Sequence, residues 1–465
     1  MSRPTAAAQE SPRTITIRGA LFALGVLFSM NLLNYVDRYI FAAVGPAIMK
    51  DLNLGSGKFG VLASSFMVVY TFVSPVVGYL GDRADRRRLL AFGVGLWSLA
   101  TVGTAFAANF GQMFVARALL GVGEASYGVV APALLADLFE PRARARVLGF
   151  FYLALPLGTA VGYGLGGVIE SHWSWRAAFW VVGLPGLLLA VAGMLLHDPG
   201  RGASEGHKGQ GPRRGVADYL SLFRTPSFLL NTAGMAAVTF TLGAVGQWVP
   251  NFYERVRGMP QRDKLWIGLA LAVAGTLGVL IGMWLPDRLL RRTRRAYMLW
   301  PAFAVSLSIP FGVAGLLARP NWASIAFLFV ASVLATSCLG PCNAVTAAVV
   351  PPSRRSAGFA LSIFLLHLYG DIPSPPLIGE LADWLGRPEA RASAIGRSFE
   401  ALGAVPVPAA NGEGLTNLTA GMLLIVPVLA LGSLAFWWGS RHLVRDEDRA
   451  RALGGLDFDD PPALH

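Results

Sequence analysis

Asp82-Arg83-Ala84-Asp85-Arg86-Arg87 closes one long apolar stretch, and Asp287-Arg288-Leu289-Leu290-Arg291-Arg292 closes another 205 positions later. Both read Asp-Arg-x-x-Arg-Arg, one after the second apolar stretch and one after the eighth. Two further echoes lie 209 positions apart: Arg146-x-x-Gly149-Phe150 with Arg355-x-x-Gly358-Phe359, and Pro132 with Pro341. Three matches at nearly one offset, each at the same place in its half, predict a duplicated fold. Membrane repeats of this kind usually hold a substrate site near the midplane between the halves.

Outward from these repeats the chain divides into twelve apolar stretches, each about 20 residues or more and long enough to span a bilayer as a helix. They lie at 18–48, 57–80, 88–108, 111–138, 146–168, 176–196, 227–252, 265–286, 296–318, 322–350, 356–383 and 416–440. The expected fold class is an all-α polytopic membrane protein, with twelve helices in two pseudo-symmetric six-helix bundles. Composition agrees. Of 465 residues 54% are apolar and 14% charged, with a mean hydropathy of +0.52. A soluble chain carries about a quarter charged residues, so there is too little polar surface here to coat separate soluble cores. The first stretch is not a cleaved signal, because it outruns the usual apolar region of about 7–15 residues and contains Asn31, Asn34, Asp37 and Arg38.

The net charge of +12 alone would suggest a nucleic-acid partner. Sorting the 39 Lys and Arg residues removes that reading. Alternate loops, counted from the N-terminal tail, hold 26 of them, the opposite loops hold 11, and Arg38 and Arg117 lie within spans. Lys and Arg collect on the cytoplasmic side, so both termini are expected inside. The expected organisation is a cytoplasmic tail at 1–17, a six-helix bundle at 18–197 and a Gly-rich basic linker at 198–225. A second bundle follows at 226–440 with an external loop at 384–415, then a cytoplasmic tail at 441–465. In that loop Ile395, Phe399 and Leu402 fall at helical spacing, which fits a short interfacial helix as well as it fits a disordered loop.

Gly78-Tyr79-Leu80-Gly81-Asp82-Arg83-Ala84-Asp85-Arg86-Arg87 resembles the cytoplasmic loop signature of the major facilitator superfamily, with Asp85 where glycine is usual. Arg117-x-x-x-Gly121-x-Gly123-Glu124-Ala125 looks like its fourth-helix motif. Gly158-x-x-x-Gly162-Tyr163-x-x-Gly166-Gly167 looks like its fifth-helix motif, associated with antiport, with Tyr163 where proline is typical. A narrower resemblance, to the Spinster family, rests on motifs spread from span one to span eleven. They are Asn34-Tyr35-Val36-Asp37-Arg38, Gly121-Val122-Gly123-Glu124-Ala125-Ser126-Tyr127, Ala131-Pro132 with Ala136-Asp137-Leu138-Phe139, and Phe151-Tyr152 before Pro156-Leu157-Gly158. Gly243-Ala244 with Trp248-Val249-Pro250, and His367-Leu368-Tyr369-Gly370-Asp371 before Ser374-Pro375, complete the set. The resemblance implies alternating-access transport of amphipathic lipids, sphingosine-1-phosphate and lysophospholipids among them. The compact loops point to a bacterial homologue in an inner membrane, expected as a monomer.

Charges inside a membrane cost roughly 2.5–3.5 kcal/mol each on insertion scales, so they pair and mark function. Asp37 and Arg38 lie deep in span one; Arg117 and Glu124 lie in span four, seven residues apart. That spacing separates them by about 10.5 Å along one helix face, too far to bond directly, so span one is expected to supply the partners. Asp37 is the leading candidate for proton coupling and Glu124 the second, with Arg38 and Arg117 as their partners; a cluster that merely fastens the two spans is the alternative. His367 and Asp371, one turn apart, form a possible second polar site beside the broken helix of Pro373, Pro375 and Pro376. Asp82, Arg83, Arg86, Arg87, Asp287 and Arg288 form the expected cytoplasmic gate. Phe66, Tyr70, Tyr127, Phe151, Tyr152, Trp248, Phe252 and Phe359 are candidate linings for a lipid tail, although such aromatics more often serve packing.

Several motifs carry less than their pattern suggests. Gly202-Ala203-Ser204-Glu205-Gly206 has no strand before it to build a nucleophile elbow. Gly162-x-Gly164-x-x-Gly167 sits in an apolar helix, where close packing explains it better than a dinucleotide. Cys338 and Cys342 lack histidines nearby in sequence, and Asn417-Leu418-Thr419 lies too close to span twelve to be glycosylated. No catalytic group, metal or cofactor is expected, and the protein reads as a transporter rather than an enzyme. Two rivals stay open: a proton-coupled exporter of a small organic anion or drug-like molecule, and a lipid-binding receptor that moves nothing.

Overall fold

A computed structural model describes residues 17–81, 84–139, 141–198, 222–351 and 355–453. The N-terminal helices are α1 (Ile17–Ala43), α2 (Gly45–Asp51), α3 (Ser56–Gly81), α4 (Arg86–Thr104), α5 (Phe110–Leu138), α6 (Pro141–Tyr152), α7 (Ala154–His172) and α8 (Trp175–Met194). Then come α9 (Pro226–Arg255), α10 (Lys264–Leu290), α11 (Ala296–Leu317), α12 (Asn321–Thr336), α13 (Leu339–Val349), α14 (Arg355–Leu366) and α15 (Ser374–Gly386). After α16 (Pro388–Ala392) and α17 (Ala394–Ala401), a two-strand hairpin of β1 (Val407–Pro408) and β2 (Leu415–Thr416) precedes α18 (Leu418–Met422) and α19 (Ile425–Leu453). Each of the twelve expected spans is helical. Ten stretches among the described residues are long and apolar enough to cross a membrane by themselves. The other two are α4, which opens on three arginines, and the interrupted run from α14 to α15.

Five spans are broken, and in each a proline stands a few residues past the break. Pro46 follows the break at Val44, Pro156 the one at Leu153, Pro341 the one at Ser337 and Cys338, and Pro427 the one at Leu423 and Leu424. A proline has no N–H to give the carbonyl four residues back, so the helix loses a bond and bends. Between α14 and α15, three prolines at 373, 375 and 376 follow a π turn at His367–Asp371, closed by Ile372 N bonding the His367 carbonyl at 3.1 Å. The breaks at 153 and at 367–371 each follow a 12-residue helix.

Two seams join the halves. Along α3 and α15, a Cβ placed on Gly60 would lie 2.4 Å from the Pro375 carbonyl oxygen, and one on Gly379 2.3 Å from that of Ser56. Along α7 and α10, a Cβ on Gly167 would meet the Gln261 carbonyl oxygen at 2.2 Å. Gly158, Gly162 and Gly166 present the other face of α7 to α1 at Tyr35, Tyr39 and Ala43. The glycine-rich motif is therefore a two-sided packing surface. One buried core crosses the seam through Phe41, Phe59, Trp248, Ile267 and Ile378, while separate cores fill each half. Large apolar side chains such as Leu188 and Trp322 remain exposed on the outer helix faces, as lipid contact requires.

In the 384–415 loop, α17 confirms the helical spacing; Ile395 and Leu402 are exposed, and Phe399 packs on the core. Asn417 is buried, caps α18 by accepting from Ala420 N at 3.1 Å and donates to the Ala404 carbonyl at 2.7 Å. Cys338 and Cys342 are both buried and free. The Gly202–Gly206 motif lies outside the described residues, as do most of the 198–225 segment and residues 454–465.

Candidate functional site: a charged cluster inside the N-terminal helices

The four charges on α1 and α5 do come together, with an added member from α4. Arg38 Nε donates to Glu124 Oε2 at 2.8 Å, and Arg38 Nη2 reaches the same oxygen. Asp37 Oδ2 accepts from the Thr101 hydroxyl at 2.7 Å. Arg117 spreads its guanidinium over the rings of Phe41 at 4.1 Å and Phe66 at 4.9 Å, within electrostatic reach of Asp37. Span one thus supplies the partner that bare spacing denied to Arg117 and Glu124. The partners are Arg38 for Glu124 and, through space, Asp37 for Arg117.

Burial is nearly complete for three members. Asp37, Arg117 and Glu124 are each 1% exposed, whereas the Arg38 side chain is 23% exposed. Arg38 is therefore the member that opens toward free space, and the rings of Tyr35, Phe66 and Tyr70 surround it at 5.1 to 5.7 Å. Among the described residues, Asp37 Oδ1, Glu124 Oε1 and Arg117 Nε and Nη1 are buried with no hydrogen-bond partner.

The second polar pair forms too. His367 Nδ1 lies 2.8 Å from Asp371 Oδ2 across the π turn, both partly exposed. Tyr70 connects the two sites: its ring lies 5.7 Å from the Arg38 guanidinium and 6.2 Å, edge to face, from the His367 ring. Polar groups of both halves thus face each other near the middle of the molecule.

Other expected residues are placed differently. Asp82 and Arg83 lie outside the described residues. Arg86 bonds Asp137 at 2.6 Å, joining α4 to the end of α5, and Arg87 pairs with Asp85 at 3.2 Å. Asp287 accepts from the Tyr297 hydroxyl at 2.7 Å, and Arg288 lies over the Trp284 ring at 4.9 Å. Of these contacts, Arg86–Asp137 and Asp287–Tyr297 tie neighbouring helices within one half, while those of Arg87 and Arg288 are local in sequence.

The candidate lining aromatics fall into two groups. Tyr127, Phe151, Trp248 and Phe252 are at most 2% exposed. Tyr127 donates to the Leu27 carbonyl at 2.8 Å, and Trp248 Nε1 donates to that of Pro375 at 3.1 Å. These four pack the cores and line no open path in this conformation, because each ring has a packed neighbour or a fixed carbonyl. Phe66 and Tyr70 stay beside Arg38, Tyr152 is half exposed and Phe359 is partly buried.

Residues 27–370 match the Major Facilitator Superfamily. The chain is 36% identical over 389 residues to protein spinster homolog 1 of Bos taurus, covering 78% of this chain and 73% of that protein. It is likewise 36% identical over 395 residues to protein spinster homolog 1 of Homo sapiens, covering 80% and 74%. This chain belongs to the Spinster family. Its fold is similar to the crystal structure of a bacterial homolog to human lysosomal transporter, Spinster, in an inward-facing and unoccupied conformation. That match has a TM-score of 0.78 at 21% identity, covering 93% of this chain and 99% of that one. As a Spinster-family member of the major facilitator superfamily, the protein is an integral membrane transporter and not an enzyme.

Proposed function

We propose that this Spinster-family transporter moves amphipathic lipids of sphingolipid or lysophospholipid type by alternating access, linked to protons bound at the Asp37–Arg38–Arg117–Glu124 cluster. The observation that carries the proton reading is an intramembrane carboxylate, Asp37, with one oxygen held by Thr101 and the other given no hydrogen bond among the described residues. A proton at that oxygen changes the net charge of a buried cluster of two carboxylates and two guanidiniums, and intramembrane acids in transporters serve as proton relays. The lipid reading rests on what the Spinster resemblance implies and on a partly exposed Arg38 ringed by aromatics, a place for a headgroup phosphate beside apolar surface.

The membrane is proposed to be a bacterial inner membrane, with both termini cytoplasmic and the monomer as the working unit. The bonds named between halves lie at one end of the helices, from Asn53–Glu413 at 3.0 Å and Gly57–Asp383 at 2.9 Å to Gln261–Glu170 at 2.9 Å. With the basic loops inside, this closed end faces out. The test is flux in liposomes of purified protein with lysophosphatidylethanolamine, sphingosine-1-phosphate and soluble organic anions, under imposed pH gradients. Lipid flux that responds to the gradient supports the proposal. Anion flux alone points to the exporter reading, and binding with no flux of any candidate points to a receptor.

A further inference from the structure

Lys264 begins α10 and looks from the sequence like a solvated loop residue, yet it is 1% exposed. Its ammonium donates to the Ala43 carbonyl, lies 3.2 Å from Glu170 Oε2 and lies 2.6 Å from Glu254 Oε2. Ala43 ends α1 and Glu170 lies on α7, both in the first half, whereas Lys264 and Glu254 belong to the second. Glu170 Oε1 is held as well, accepting from Gln261 Nε2 at 2.9 Å. Both oxygens of one first-half carboxylate are thus gripped by second-half side chains.

The break in α1 prepares this contact. Pro46 cannot bond the Ala42 carbonyl, which instead accepts from Asn251 Nδ2 of the second half at 3.3 Å. The next carbonyl, Ala43, takes the lysine, and a cation at a helix C-terminus is favoured by the helix dipole. Tyr163 adds a third crossing by donating to the Gly246 carbonyl. A buried ion left without its partner is costly, so these groups part only if new partners or water replace the old ones.

We infer that Lys264, together with Glu170 and Gln261, is the ionic latch that holds the two halves shut at this end and must open once in every transport cycle. Glu254 has a different part. It lies in the same half as Lys264 and travels with it, so it keeps the ammonium paired when the latch is open. The latch rests on transport by alternating access but on neither the lipid nor the proton, so failure of the cargo or Asp37 tests leaves it standing.

The two native cysteines are buried, so spin labels can be attached selectively at introduced cysteines. Ser174 and Arg262, exposed on either side of the seam, give the distance across it. In purified protein carrying this pair, double electron–electron resonance is expected to show the long-distance population rising about tenfold in Glu170→Gln and Lys264→Met, the scale of one lost charge-assisted bond. Glu254→Gln is expected to match wild type, since Lys264 still holds Glu170. Wild-type distances in Glu170→Gln overturn the latch, and this milder variant decides the matter if Lys264→Met fails to fold. Equal opening by Glu254→Gln and Glu170→Gln also overturns it, because the cluster is then a brace within the second half.

Discussion

Gly60→Ala is a one-methyl wedge placed on the α3–α15 seam. The added Cβ would lie 2.4 Å from the Pro375 oxygen, 2.6 Å from its carbon and 2.7 Å from the Pro376 Cα. All three are backbone atoms, so no side chain can rotate away and the helices themselves must separate. Overpacking of this kind costs about 1–3 kcal/mol. The cost falls only on the conformation closed at this end, because the open one does not bring Gly60 against Pro375. Alanine also gains about 0.5–1 kcal/mol over glycine inside a helix, equally in both conformations. Overall stability is therefore preserved while the equilibrium shifts by about 5- to 150-fold toward opening. Spin labels at Lys58 and Glu389, both exposed, report the seam. Gly103→Ala, where nothing lies within 4 Å of the new methyl, serves as the control. A Gly60→Ala distance distribution identical to wild type, in monodisperse protein, refutes the reasoning.

Thr101→Val strips Asp37 Oδ2 of its donor, and lipid flux in liposomes is expected to fall about tenfold, while Thr101→Ser retains it. Arg86→Gln breaks the half-buried pair with Asp137 and is expected to cost up to about 3 kcal/mol, read as a lower melting temperature in detergent. Asp85→Ala removes the N-cap of α4, a loss of about 1 kcal/mol. The bonds from Arg87 hold the Asp85 carboxyl below its usual range, so its stabilisation is complete above about pH 4 and fades as the pH falls through the lowered value. The melting difference between wild type and Asp85→Ala is therefore flat from pH 5 to 8 and shrinks in acid.

Much of the fold was legible because lipid imposes simple rules. Apolar length located the spans, and the duplicated Asp-Arg-x-x-Arg-Arg marked the repeat. Asp37, Arg38, Arg117 and Glu124 stood out because charge is scarce in such spans. Thr101 did not, since a threonine in an apolar helix usually bonds its own backbone. Lys264 was hidden for another reason: beside Arg262 and Asp263 it fits an exposed loop, and only the bent end of α1 shows why it turns inward. One signal was available, for Glu170 and Glu254 both sit at the ends of spans on its side. For the expected gate charges, a repeated motif fixes residue types but not partners. Arg86 reaches Asp137, 51 residues on and beyond any local pattern.

Proton-linked transport through Asp37 is tested most directly by pH-jump flux in liposomes, comparing wild type with Asp37→Asn at matched protein orientation. The expected result is lipid flux that follows the pH gradient in wild type and becomes indifferent to it in Asp37→Asn, with lipid binding retained. Full pH dependence in Asp37→Asn contradicts the account.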